Sequence, residues 1–208
     1  MDIQFYGANC VTLSTKQARV VVDDNLEDLG AKSISKPGDI LLFTGAHGAA
    51  AKQPKIVIDQ PGEYEVSGVS IYGIPTRSHM DEEGQMNATM YKLIADDMRI
   101  LIVGHIYPEL SDTQLESIGM VDVMVVPVGG SGYTLDSVGA LKLIKKVEPK
   151  LVVPTHYEQK GIAFPVPQQP LEQALKGLAM EPKEVLPKLK LKPGDLGEVM
   201  QLLVLERA

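Results

Sequence analysis

Short runs of β-branched and aliphatic residues, each cut off by glycine, proline or aspartate, fill the first half of the chain. Arg19 to Asp23, Asp39 to Thr44, Lys55 to Asp59, Val69 to Ile74, Ala88 to Ala95 and Arg99 to Val103 each have the length and branching of a strand. Asp2 to Gly7 alternates polar and apolar, as a half-buried strand does, and Val11 to Ser14 and Tyr64 to Val66 add two more. Pro61-Gly62 and Ser67-Gly68 supply turns between them. After Ser111, whose Gln114 three residues on gives a capping box, strands and helices alternate. Val121 to Val128 and Leu151 to Pro154 are expected as strands. Thr134 to Val147 is expected as a helix with Leu135, Val138, Leu141 and Ile144 on its apolar face. Pro170 to Ala179 is a second helix, and Val185 to Leu191 and Val199 to Glu206 are tail strands. A block of strands followed by such an alternation fits neither a pure βαβ fold nor an all-β one. Two packed sheets with helices outside satisfy it. The proline-rich stretch from Phe164 to Pro170 is expected as an exposed insertion.

The 208 residues suffice for one domain with a full core, and 44% hydrophobic and 23% charged content is ordinary for a globular chain. A net charge of −7 disfavours general nucleic-acid binding, which needs a basic face. No apolar run is long enough to span a bilayer, and Met1 to Gly7 does not read as a signal peptide. A single cysteine, Cys10, excludes an intrachain disulfide and a multi-cysteine zinc site, and suits the cytoplasm. Cys10 itself reads as a small buried hydrophobe rather than a nucleophile. A serine-hydrolase elbow is missing, since Gly130-Ser131-Gly132 is too short a match.

The chain has four histidines, His47, His79, His105 and His156, and each follows the C-terminal end of an expected strand. Strand-end loops can turn side chains into one cleft. Imidazole is the commonest metal ligand, and a catalytic ion keeps one position open for water. Asp23, Asp81 and the Glu82-Glu83 pair are the nearby carboxylates; for the charged loop residues, plain solvation is the simpler reading.

Several motifs carry a resemblance. Phe5-Tyr6-Gly7-Ala8-Asn9-Cys10, Val20-Val21-Val22-Asp23, Asp59-Gln60-Pro61-Gly62-Glu63-Tyr64 with Val66-Ser67-Gly68-Val69, Val125-Val126-Pro127-Val128-Gly129-Gly130 and Val152-Val153-Pro154-Thr155-His156-Tyr157 lie in that order. Together they resemble the metallo-β-lactamase superfamily, in particular its small UlaG-like metal-dependent hydrolases, over nearly the whole length. The resemblance implies an α+β fold, a four-layer αββα sandwich of two mixed β-sheets flanked by helices. Residues 1–208 would then form a single metallo-β-lactamase-like domain.

The family's hallmark is a Thr-His-x-His-x-Asp-His loop that holds one or two metal ions. The matching stretch here is Thr44-Gly45-Ala46-His47-Gly48-Ala49-Ala50, which keeps His47 alone. Ala8 stands where a histidine is usual, and His105 where the family has its bridging aspartate. The next ligand falls at Ser78 or His79, and His156 matches the last one. These losses imply a degenerate metal site. The first expectation is a non-catalytic relative whose cleft binds a small molecule or a protein. The second is a hydrolase of a small ester, lactone or phosphoester, with a mononuclear site. That site would be built from His47, His105 and His156, with His79 as a further candidate and Tyr157 or His79 near the substrate. The cofactor is accordingly none, or a single divalent metal with zinc first. A homo-oligomer is compatible with the fold, through the Thr76–Asn87 loop or the apolar tail strand.

Overall fold

The computed structural model describes residues 1–46, 53–192 and 194–208. Seven early strands follow one another: β1 (Asp2–Gly7), β2 (Cys10–Ser14), β3 (Arg19–Val22), β4 (Ile40–Leu42), β5 (Ile56–Ile58), β6 (Gly62–Val66) and β7 (Val69–Thr76). Then come β8 (Ala88–Ala95), β9 (Met98–Ile102), α1 (Asp112–Ile118), β10 (Val123–Pro127), α2 (Ser137–Val147), β11 (Leu151–Thr155) and α3 (Leu171–Leu178). The tail holds β12 (Glu184–Leu186), β13 (Leu189–Lys190) and β14 (Gln201–Leu205).

The strands form two sheets, six strands in the order β13-β1-β2-β3-β4-β5 and eight in the order β12-β14-β11-β10-β9-β8-β7-β6. Each is mixed. Antiparallel pairing joins β1 to β2 and β2 to β3, then β3, β4 and β5 run parallel. In the second sheet β6 to β9 are antiparallel, while β9, β10, β11, β14 and β12 are parallel. The class is the expected α+β one.

Alternation sets which face each strand buries. In β1, Ile3 and Phe5 point inward while Asp2, Gln4 and Tyr6 reach outward. These inner residues join Leu13, Val22 and Leu42 in one cluster with Ile71, Met90 and Ile100 of the other sheet. Strands β10 and β11 are buried along their whole length, as parallel strands covered on both faces must be. Their outer cover is α2 and α3: α2 packs on β10 and against α3. Gly177 makes that helix contact close, since a Cβ there would lie 2.0 Å from Ser137 Oγ. The outer face of the smaller sheet is covered differently. Cys10, Val21, Leu41 and Phe43 pack under Leu26 and Ile162 of two loops. Among the described residues no helix is long and apolar enough to cross a membrane.

Three details depart from the sequence reading. Val185 to Leu191 is not one strand. Pro187 removes a ladder donor and breaks it, so β12 pairs with β14 in one sheet and β13 with β1 in the other. Of the expected apolar face of α2, Leu135 and Ile144 are buried and Leu141 packs on the core, but Val138 is not part of it. Ala140, Leu143 and Ile144 are buried and Val138 is 69% exposed. The helix starts at Ser137, with Asp136 capping the Gly139 N–H at 2.7 Å, and its packing on β10 and α3 sets which residues are buried. Finally, the Phe164–Pro170 stretch is not simply exposed, because Gln168 is buried at 6% exposure.

Candidate functional site

The loops that leave β3, β4, β9, β10 and β11 at their C-terminal ends meet at one place. Asp23, just past β3, takes a left-handed backbone with φ 47°. Its carboxylate receives the Thr44 N–H and the Thr44 hydroxyl, both at 2.7 Å. Burial pushes the Asp23 carboxyl up to about 6, although both bonds from Thr44 favour its charged form. Thr44 is held from its other side by Gly104, which follows β9. A Cβ on Gly104 would fall 2.4 Å from Thr44 Cβ, and the residue has φ +70°, so glycine is required twice over. Asp23 and Thr44 belong to the smaller sheet and Gly104 to the larger, so this contact ties the two at the site.

His105 follows Gly104, and His156 follows β11 with φ 53°. The two rings stand edge to face, with centroids 4.5 Å apart and an interplanar angle of 87°. Tyr133 lies 5.1 Å from the His105 ring and 6.0 Å from that of His156, and Phe164 packs 4.9 Å from His156. Gln168 Oε1 sits 3.1 Å from His156 Nδ1, and Gln168 Nε2 donates to the Val166 carbonyl at 3.0 Å. The amide nitrogen is spent on a carbonyl, so the oxygen faces the imidazole. His156 therefore carries its proton on Nδ1 and presents the Nε2 lone pair. Gly129 makes room for this: a Cβ there would meet His156 O at 1.9 Å and Gln168 Oε1 at 2.2 Å.

Burial, then the neighbouring rings of His156 and His79, push His105 down to about 3. Burial pushes His156 down to about 4, against the pull of Gln168. Both rings are neutral at pH 7. They line a cavity of about 330 Å³, together with Asn9, Asp23, Asp28 and Tyr133. Asn9 accepts from the Thr155 hydroxyl at 3.0 Å, while its own Nδ2 and the Nδ1 of His105 are buried without a partner among the described residues.

His79 lies next door. Its N–H donates to the His105 carbonyl at 2.8 Å, which fixes its loop beside the site. Its ring lies 6.3 Å from that of Tyr107 and lines a neighbouring cavity with Tyr107, Pro108 and Thr134. Asp81 holds that loop by accepting from the Ser78 and Asn87 N–H groups at 2.7 and 3.0 Å. His47 lies outside the described residues. Of the expected set, then, His105 and His156 share a wall, and His79 stands behind His105. Among the described residues no three His, Cys, Asp or Glu side chains are grouped so as to hold a metal ion.

Tyr157 does not reach the cavity. It packs on Phe5 with centroids 5.8 Å apart and donates to the Leu205 carbonyl at 3.4 Å; burial pushes its phenol up to about 12. It follows His156 in sequence, but the left-handed turn at His156 sends the two side chains apart. Cys10 is buried, and burial followed by the nearby Asp24 and Asp23 charges pushes its thiol well up, against nucleophile chemistry. Sequence reasoning missed Gln168, Tyr133, Phe164 and Asn9. Asn9 adjoins the Ala8 gap in the motif, and Tyr133 follows the Gly129–Gly132 turn, so both stood next to readable signals. Gln168 gave none.

Comparison with known proteins agrees with this architecture. The β-lactamase superfamily domain matches residues 2–156. A UPF0173 metal-dependent hydrolase of Thermococcus onnurineus is 31% identical over 143 residues, which take in 66% of this chain and 59% of that protein. A second such hydrolase, from Thermus thermophilus, is 25% identical over 224 positions, covering 89% of this chain and 98% of its own length. Among solved structures, a candidate zinc-dependent hydrolase of the metallo-β-lactamase superfamily from Thermotoga maritima superposes with a TM-score of 0.76. It is 23% identical and covers 99% of this chain and 98% of its own. An isothiocyanate hydrolase from Delia radicum gut bacteria shares the fold with a TM-score of 0.64 at 13% identity, covering 100% and 97%. The chain belongs to the metallo-β-lactamase superfamily.

Proposed function

We propose that this is a degenerate, UlaG-like member of the superfamily, one domain over residues 1–208, that lacks the two-metal hydrolytic centre and uses the cleft to bind a small molecule. The observation that carries this is the donor set. A pair of close cations needs a bridging carboxylate, and the position that would supply it is His105, a neutral imidazole against His156. Asp23, the buried carboxylate nearest in kind, already accepts two hydrogen bonds from Thr44. The residues present do not fit a dinuclear site. What remains is a cavity of about 330 Å³ with a largely apolar wall carrying a few polar groups, at the small end of ligand-binding volumes.

One observation favours a second reading. Gln168 orients His156 as a carboxylate or carbonyl orients a metal-ligating histidine, by accepting a hydrogen bond from its Nδ1–H. With His105, and with His47 as third ligand, a single divalent ion such as zinc would activate water for a hydrolysis, as the names of the relatives suggest.

Metal content of untagged protein, purified without chelator, separates the two. The binding reading expects below about one-tenth of an ion per chain and a melting temperature that chelator leaves unchanged. Close to one bound ion per chain, with a chelator-sensitive Tm, would replace it with the hydrolase reading.

A further inference from the structure

Resting on the binding reading of the same cleft, we propose that the ligand is a small organic cation, held through a primary ammonium group. The first ground is the sign of the wall. Asp23 and Asp28 both line the cavity, and among the described residues no lysine or arginine does. The second is the direction of the hydrogen bonds. His156 is 3% exposed and lines the cavity, and its Nδ1 is committed to Gln168, which leaves its Nε2 as an acceptor to which no described residue donates. A group entering here meets a lone pair, the Asp28 carboxylate and the charge of Asp23 behind its two bonds from Thr44, and must bring N–H or O–H donors. An ammonium brings three and cancels the buried negative charge of Asp23.

The third ground is aromatic. Tyr133 and His105 present rings to the same space, 5.1 Å apart and at 64° to each other. The two rings pack edge to face, and a tyrosine ring at the cavity wall can offer its face to a cation. An anionic ligand such as a phosphoester or carboxylate would instead face two carboxylates and a lone pair.

The test uses three probes of one shape: benzylammonium, benzoate and benzyl alcohol. Each is titrated by calorimetry near neutral pH into the untagged full chain, with metal content measured on the same sample. Benzylammonium is expected to bind at least about tenfold more tightly than either of the others, the size of one charge-assisted hydrogen bond. Asp28→Asn changes an exposed residue and keeps the fold. It and Asp23→Asn are each expected to weaken benzylammonium by about tenfold, with Tm confirming that each variant is folded. Metal-free protein that binds the alcohol or benzoate as well as the amine, or that binds none of the three, overturns the inference and leaves the binding reading standing. So does benzylammonium binding that both folded variants leave unchanged. A divalent ion retained at one per chain overturns both.

Discussion

Gln168 Oε1 lies 3.1 Å from His156 Nδ1 while its amide nitrogen is anchored 3.0 Å from the Val166 carbonyl, so a loop residue twelve positions away settles where a strand-end histidine keeps its proton. Gln168→Leu removes the acceptor and leaves a buried N–H unpaired. We expect a loss of about 1–3 kcal/mol in chemical denaturation. In nitrogen-15 NMR, His156 should change from one tautomer to a mixture. A single unchanged tautomer in the variant would show that Gln168 does not set it.

Gly104→Ala should be among the costliest single changes in the chain. It forces a side chain into φ +70° and sets a Cβ 2.4 Å from Thr44, which is itself bound to Asp23. The expected loss is about 2–4 kcal/mol, enough to lower soluble yield. Gly132→Ala is the control: that glycine has φ +71° but nothing within 4 Å of an added Cβ, so it should cost only about 1 kcal/mol. Equal losses would mean that the contact with Thr44 is unimportant.

Asp122 gives a pH dependence whose sign can be worked out. Burial alone would raise its carboxyl. Arg99 Nε and NH2 at 2.8 and 2.9 Å and Lys150 Nζ at 3.0 Å outweigh that and hold it down at about 2. A depressed carboxyl stabilises the fold above its unfolded value of 3.8, and that stability is lost as pH falls toward about 2. The lost amount is about 2 kcal/mol. Urea denaturation between neutral and acid pH should show this limb in the native chain, and Asp122→Asn should flatten it while lowering stability at neutral pH.

Leu143→Ala and Val138→Ser test the orientation of α2. Leu143 is fully buried and Val138 is 69% exposed, so the first should cost about 2–5 kcal/mol and the second under about 1 kcal/mol. The reverse ranking would restore the face that the sequence suggested.

That face shows where reading the chain reached its limit. The strands were legible because β-branched runs between Gly and Pro turns have few alternatives, and the capping box at Ser111 and Gln114 formed as expected. In α2, however, Leu135, Val138, Leu141 and Ile144 and the set Ala140, Leu143 and Ile144 both run at helical spacing. Only packing against β10 and α3 chooses between them. In the cleft, His105 and His156 were visible as strand-end residues. The glutamine that orients one of them was not, because it reaches the site through the path of the Phe164–Pro170 stretch, which no periodicity encodes.

The tail has a consequence for how the chain is built. Strand β12 belongs to one sheet and β13 to the other, with Pro187 and Lys188 between them, and β14 fills the slot between β11 and β12. Neither sheet is complete until these residues arrive. While a ribosome still shelters them, β1 and β11 each expose an open edge, and the nascent chain must be kept from pairing with its neighbours there. These late strands are thus the clasp that ends that vulnerable interval for both halves at once.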